Sequence, residues 1–150
     1  MRDTLSTALK NATREQDKRR IATLRLINAA IKDRDIAART TSDEGVSDTE
    51  ILEIMAKMIK QRRESVSTYE QAGRLELAQQ EQEEITIIEE FMPKQMAGDE
   101  MESAVDEVLR ELECSGLKDM GRAMSTLKDR YAGQMDFSAA SKVVKARLAA

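Results

Sequence analysis

Apolar residues recur three and four positions apart along most of this chain, which is the spacing of one buried face of an α-helix. No segment shows the strict alternation of a half-buried strand. The pattern predicts an all-helical protein, with helices over residues 3–16, 18–39, 47–72, 74–92, 99–113, 117–131 and the stretch after Asp136.

A domain boundary is expected near Pro93, the only proline of the chain. Proline lacks an N–H and disfavours helical geometry at the preceding residue, so the fourth helix should end at Met92. Gly73 can end the third helix with a left-handed residue, which makes helices three and four a hairpin. We expect a hairpin or bundle of about four helices over residues 1–93 and a small three-helix domain over residues 94–150.

Helix starts are marked by side chains that can accept hydrogen bonds from the first free backbone N–H groups. Asp17 is expected to cap the second helix. Ser47 with Glu50, and Asp99 with Glu102, have the spacing of capping boxes. These pairs are expected to open the third and fifth helices.

Gly121 lies inside the predicted sixth helix, whose apolar face begins with Leu117. Glycine inside a helix costs about 1 kcal/mol relative to alanine, so its presence needs a reason. Two reasons stay open: the close approach of another helix, or the close approach of a ligand backbone.

Composition favours a helical protein of a reducing compartment. Hydrophobic residues make up 41% and charged residues 35%, with four aromatic residues in all. The single cysteine, Cys114, cannot form an internal disulfide. No stretch approaches the ~20 apolar residues of a membrane span, and no charged-then-apolar leader is visible. We therefore expect a cytoplasmic protein without a membrane segment.

The net charge of −4 is unevenly distributed. Residues 1–41 carry +5, residues 42–96 carry −7, residues 97–114 carry −6 and residues 115–150 carry +4. The acidic middle would repel a generic polyanion, yet two basic ends remain for a chosen partner.

Four cations of the second helix recur every seven residues, so they lie in one slowly drifting stripe. They are Lys18, Arg25, Lys32 and Arg39. The stripe is either a plain solvated face or a track for phosphates or an acidic partner surface, which makes it the candidate partner-binding set.

The residue types argue against an unaided enzyme. With no histidine and one cysteine, neither the usual zinc site nor a Ser-His-Asp or Cys-His arrangement can be built. No GxxxxGK[ST] or GxGxxG sequence is present. Carboxylates such as Glu81, Glu83 and Glu84 are expected on surface helices, without the cleft that acid–base catalysis needs. We expect no catalytic residue, no metal and no cofactor.

The basic C-terminal segment suits one mode of nucleic-acid binding. Four scattered aromatic residues do not form a stacking platform for single strands. Folded RNA can instead be held through its backbone and 2′-OH groups by lysine and arginine. Lys118 and Arg122 lie one turn apart on one predicted helix, and Lys142, Lys145 and Arg147 face outward on the next. The alternative is an ordinary charged surface.

Five motifs, in order along the chain, resemble the YqeY-like family. This family comprises stand-alone relatives of the tail domain of the B subunit (GatB) of the tRNA-dependent amidotransferase. The motifs are the run Thr23–Lys32, the step Gln61–Ser65, the turn Tyr69–Arg74, the joint Phe91–Gln95 and the run Lys118–Arg122.

The resemblance implies a helical hairpin body followed by a three-helix tail that contacts tRNA. In the parent enzyme, other parts move ammonia from glutamine onto an amino acid attached to tRNA, so a carbon–nitrogen ligase relation is implied without the catalytic residues. The implied tRNA-facing residues are Lys118, Gly121 and Arg122, followed by Lys142 and Lys145.

Three hypotheses about function follow. The leading one is a non-catalytic accessory protein that binds tRNA or another folded RNA. The second is a protein–protein adaptor that uses the helical hairpin and its basic stripe. The third, an amide-transfer enzyme, is disfavoured because the residues for that chemistry are absent from the motifs.

Overall fold

The computed structural model describes residues 1–39 and 45–149. Within these ranges the chain is helical and contains no strand, which confirms the predicted all-α class. The elements in order are α1 (Arg2–Glu15), α2 (Lys18–Ala38), α3 (Asp48–Gln71), α4 (Leu75–Glu89), α5 (Gly98–Glu111), a 3-10 turn (Leu117–Asp119), α6 (Met120–Tyr131) and α7 (Phe137–Ala149).

The chain forms two compact units, Met1–Met92 and Pro93–Ala150. In the N-terminal unit, α3 packs along α4 after a tight turn in which Gly73 has φ +72°. Helix α1 packs on α2, and α2 contacts both α3 and α4. Apolar side chains from all four helices meet in one core, which includes Leu5, Leu24, Ile27, Ile51, Met55, Ile85 and Ile88.

A clasp of Arg2 and Asp35 joins the start of α1 to the end of α2. Arg2 donates two hydrogen bonds to the Asp35 carboxylate, at 3.0 and 2.7 Å, and the Val46 N–H donates a third at 2.8 Å. The Arg2 hydrogen bonds, followed by that from Val46, lower the pKa of Asp35 to about 2. Gly45 has φ +76°, and a Cβ there would lie 2.9 Å from Asp35 Oδ1. The clasp therefore depends on glycine at this position.

A second ionic cluster ties α2, α3 and α4 together around the buried Glu84. Arg62 Nε donates to one Glu84 carboxylate oxygen at 3.1 Å, and Arg19 Nη1 lies 3.9 Å from the other. Burial raises the pKa of the neighbouring Glu81, and the negative charge of Glu84 adds to the rise. Packing of this cluster is the physical cause of the shift in the pKa of Glu81.

The C-terminal unit packs α5, α6 and α7 around a smaller core. Its fully buried side chains are Val105, Val108, Ala123, Leu127, Ala140 and Val144. Gly133 has φ +76° in the turn after α6, and the Met96 N–H donates to the Gln134 carbonyl of that turn at 2.8 Å. The Gln95 amide also donates to the Gly133 carbonyl. The segment before α5 is thereby attached to the unit that it opens.

Two predicted N-caps are confirmed, but the predicted capping box is only half formed, because among the described residues the Ser47 N–H donates no hydrogen bond to Glu50. Asp17 accepts a hydrogen bond from the Arg20 N–H at 3.1 Å, and Ser47 accepts one from the Glu50 N–H at 3.2 Å. Both caps depend on residues three positions apart, so the local sequence is sufficient to specify them.

The two predicted helix boundaries on either side of Pro93 are wrong. Helix α4 ends at Glu89, and the N–H of Met92 bonds to the Glu89 carbonyl in a tighter turn before Pro93. Helix α5 begins at Gly98 after an extended Ala97, without a side-chain cap. Asp99 lies within its first turn, where a negative charge complements the helix dipole.

Candidate nucleic-acid interface

Asp119 organises the segment that leads into α6. Its Oδ2 accepts hydrogen bonds from the N–H groups of Ser115 and Gly116, at 2.8 and 3.3 Å. The Ser115 hydrogen bond is the largest of the contacts that hold the pKa of Asp119 below its usual value, and the charges of Arg122 and Lys118 add to it. The carboxylate is therefore an anionic anchor for the turn.

The same carboxylate positions Arg122. Arg122 Nη2 donates to Asp119 Oδ1 at 3.1 Å and lies 3.9 Å from Cys114 Sγ. The Arg122 side chain nevertheless remains 53% exposed. The guanidinium is thus held in place while part of its surface faces solvent.

The 3-10 turn changes which side chains of this segment face solvent. Leu117 was expected on the buried face, but it is 52% exposed because the helix proper starts only at Met120. Lys118 is exposed on the same turn. The expectation for Leu117 is wrong because it assumed a regular helix from residue 117.

Gly121 faces open space. A Cβ built on it would meet no heavy atom of the described chain within 4 Å, and the residue is exposed. Close packing of another helix, one of its two expected explanations, is therefore contradicted. The approach of a ligand backbone remains as a prediction.

Helix α7 carries the remaining cations on two separate flanks. Arg147 Nε donates to Asp106 of α5 at 2.9 Å, which places Arg147 on the α5 side. At about 100° per residue, Lys142 and Lys145 lie roughly 140° and 160° around the helix from Arg147. They are exposed on the flank away from α5, and the other neighbours of α7 are α6 and the 3-10 turn.

We refer to Lys118, Arg122, Lys142 and Lys145 as the basic group. Among the described residues, the three lysines have no carboxylate within ion-pair distance. Arg147 differs because its carboxylate partner, Asp106, lies on another helix, α5, whereas the partner of Arg122 is Asp119 of its own segment. The structure thus separates one of the five predicted cations from the other four.

The described parts of the chain do not form a metal site. They contain no group of three or more histidine, cysteine or acidic side chains placed to hold a metal ion. None of the helices that they form combines the length and the apolar content that crossing a bilayer requires.

Sequence similarity to known proteins extends over nearly the whole chain. The family model described as "Yqey-like protein" matches residues 2–148. The chain belongs to the YqeY-like family. It is also similar to the "Altered inheritance of mitochondria protein 41, mitochondrial" of two organisms. The protein of Eremothecium gossypii is 28% identical over 145 residues, 95% of this chain and 77% of the relative. That of Pyrenophora tritici-repentis is 29% identical over 131 residues, 84% and 70% respectively.

The motifs that resemble YqeY-like proteins have different places in the structure. The run from Thr23 supplies buried residues of α2, Arg62 forms the ion pair with Glu84, and Gly73 makes the α3–α4 turn. The Lys118–Arg122 run covers the 3-10 turn and the start of α6, where its two cations and Gly121 are exposed.

Asp119 is the functional candidate that the sequence did not predict. Its position three residues before Arg122 and four after Ser115 is the available signal, since those spacings suit a side chain that caps a turn and pairs forward. By its charge alone, a carboxylate within a basic motif should weaken anion binding, so the sequence does not suggest that Asp119 positions a cation.

Proposed function

We propose that this YqeY-like protein is a non-catalytic accessory protein that binds folded RNA, tRNA in particular, through the basic group. The observation that supports the proposal most strongly is that Asp119 holds the Arg122 guanidinium in place. The turn between Ser115 and Asp119 holds its guanidinium while about half of the side chain remains exposed. A cation held in place loses less conformational entropy when it binds a phosphate than a mobile one.

The surroundings of Arg122 suit the backbone of a folded nucleic acid. Lys118 lies one turn away, and Gly121 leaves open space beside them, so that a sugar–phosphate chain can approach the helix backbone. Lys142 and Lys145 offer two further contacts on the neighbouring α7. Recognition by phosphate and 2′-OH contacts needs no aromatic platform, in agreement with the four aromatic residues of the chain.

In this proposal the protein acts beside a glutamine-dependent carbon–nitrogen ligase system, as the resemblance to the amidotransferase tail implies. It presents or protects the RNA, and other proteins perform the chemistry. We place this action in the cytoplasm, although the two relatives are named as mitochondrial proteins. Purified protein given glutamine, ATP and mischarged tRNA is expected to release no glutamate.

Filter binding of the full-length chain to a tRNA transcript tests the proposal. Each phosphate contact contributes about 0.9 to the slope of log affinity against log salt. We expect the Arg122→Ala/Lys142→Ala variant to reduce that slope by about two between roughly 50 and 200 mM salt. The matched control is Lys57→Ala/Lys60→Ala, which removes two exposed cations of α3. Equal losses in both variants would contradict the assigned surface.

Asp119 gives a test of opposite sign. Asp119→Ala removes a negative charge, which by charge alone should strengthen RNA binding. It also releases the turn and Arg122, so we expect weaker binding instead. Stronger binding by this variant would show that Asp119 does not position Arg122 for RNA.

A further inference from the structure

The exposed face of α2 has the pattern of a helix-pairing seam. Each cation of the basic stripe except the last is followed four residues later by a small or apolar residue, and three residues after that comes the next cation. The full sequence of the seam is Lys18, Ala22, Arg25, Ala29, Lys32, Ile36 and Arg39, and every member is exposed. Alternating spacings of four and three keep these residues along one line of the helix surface.

Two cations of α2 outside the stripe, Arg19 and Arg20, have carboxylate partners. Arg20 Nη1 lies 2.6 Å from a Glu90 carboxylate oxygen, and Arg19 lies 3.4 Å from Glu83. In contrast, none of the four stripe cations lies within ion-pair distance of a carboxylate in residues 1–39 or 45–149. Arg19 and Arg20 are thus paired within the N-terminal unit, whereas the stripe cations have no carboxylate partner among the described residues.

Apolar side chains on the seam argue for a protein partner over RNA. Ile36 is 49% exposed, and Leu26 beside the seam is 47% exposed. A phosphate gains no favourable contact from exposed leucine and isoleucine, whereas a partner helix can bury these side chains. Ala22 and Ala29 allow the backbone of such a helix to approach closely.

We propose that this seam docks an acidic amphipathic helix of another protein. The stripe runs from Lys18 to Arg39, which is 21 residue steps or about 31 Å. This length fits about three heptads of a partner helix, and a single stripe is narrower than the contact area of a globular partner. Carboxylates at seven-residue intervals meet the cations, and apolar residues between them cover Leu26 and Ile36. A second copy of α2 is a poor occupant, because it would bring two positively charged seams together.

A synthetic three-heptad peptide, with leucine along one face and glutamate on both sides of it, is the probe. Fluorescence anisotropy with the full-length protein should show binding that weakens with salt, and no binding to a scrambled peptide of equal composition. Arg25→Glu/Lys32→Glu should weaken binding by at least about tenfold. Lys57→Glu/Lys60→Glu, a charge reversal on α3, should leave binding nearly unchanged.

The apolar contribution is tested separately with Leu26→Gln/Ile36→Gln. This variant should weaken peptide binding severalfold while the dependence on salt stays the same, because no charge is lost. Absence of peptide binding, or equal binding by the α2 and α3 charge reversals, would overturn the proposal. So would a loss of tRNA affinity in the α2 reversal without peptide binding, or a concentration-dependent dimer that this reversal abolishes.

Discussion

Replacing Gly121 with alanine separates the stability of the C-terminal unit from its proposed contact with RNA. The added methyl group enters open space, so the change removes only the unfavourable helix propensity of glycine. That gain is at most about 0.5–1 kcal/mol, the value for a helix interior, because Gly121 is the second residue of α6. For a unit of 58 residues (93–150), an unfolding entropy of about 2.1 cal/mol/K per residue turns this gain into a rise in Tm of roughly 4–8 °C.

The same methyl group should weaken RNA binding if a ligand backbone approaches Gly121. Overfilling a close contact costs about 1–3 kcal/mol, which is roughly a 5- to 150-fold increase in Kd. Calorimetry and filter binding on the same preparation give both quantities. Gly98→Ala is the matched control: it also enters open space at a helix start, and it should leave RNA affinity unchanged. A higher Tm with unchanged RNA affinity would refute a contact at Gly121, and a lower Tm would refute the open space.

Three further predictions concern the N-terminal unit. Arg62→Met leaves the buried Glu84 carboxylate with only a distant cation, and chemical denaturation should show a loss of about 3 kcal/mol, the low end for breaking a buried pair. Because the pKa of Asp35 is lowered from 3.8 to about 2, its stabilising contribution is present above pH 4 and is lost as the pH falls toward 2. The Tm difference between wild type and Asp35→Asn should shrink over that window, and a constant difference would contradict the clasp. Gly45→Ala and Gly73→Ala should each lower the free energy of unfolding by about 1–2 kcal/mol, because both glycines have positive φ. The loss should be larger at Gly45, since only Gly45 has a neighbour at 2.9 Å. Equal melting temperatures would show that Asp35 moves freely.

Features specified by neighbouring residues were predictable from the sequence. The caps at Asp17 and Ser47 and the turn at Gly73 depend on contacts within about four residues, so composition and spacing suffice. The end of α4 and the start of α5 differ from their predicted positions because more than one residue there can end or begin a helix. Ala97 takes the extended conformation that a cap needs, which leaves Asp99 inside the helix.

Only part of the candidate interface was predictable, because local sequence patterns do not indicate contacts between distant residues. Charge and spacing indicate that Lys118, Arg122, Lys142 and Lys145 are surface cations, since each lies opposite an apolar stripe of its helix. The pairing of Arg147 with Asp106 depends on a residue 41 positions away, which no local pattern indicates. The anchoring role of Asp119 likewise appears only when the Ser115–Asp119 turn is closed.

The sequence by itself determined the all-helical class and the location of its cations, because helical periodicity and side-chain capping act within a few residues. The tertiary structure decided which of those cations remain available to a partner. Carboxylates from α4, from Glu90 just after it and from α5 pair with Arg19, Arg20 and Arg147. In the described ranges the seam cations and the three lysines of the basic group have no carboxylate partner, and Arg122 pairs with Asp119. Ion pairs between segments that are far apart in the sequence depend on how the helices pack. Packing also leaves Gly121 exposed instead of in contact with another helix.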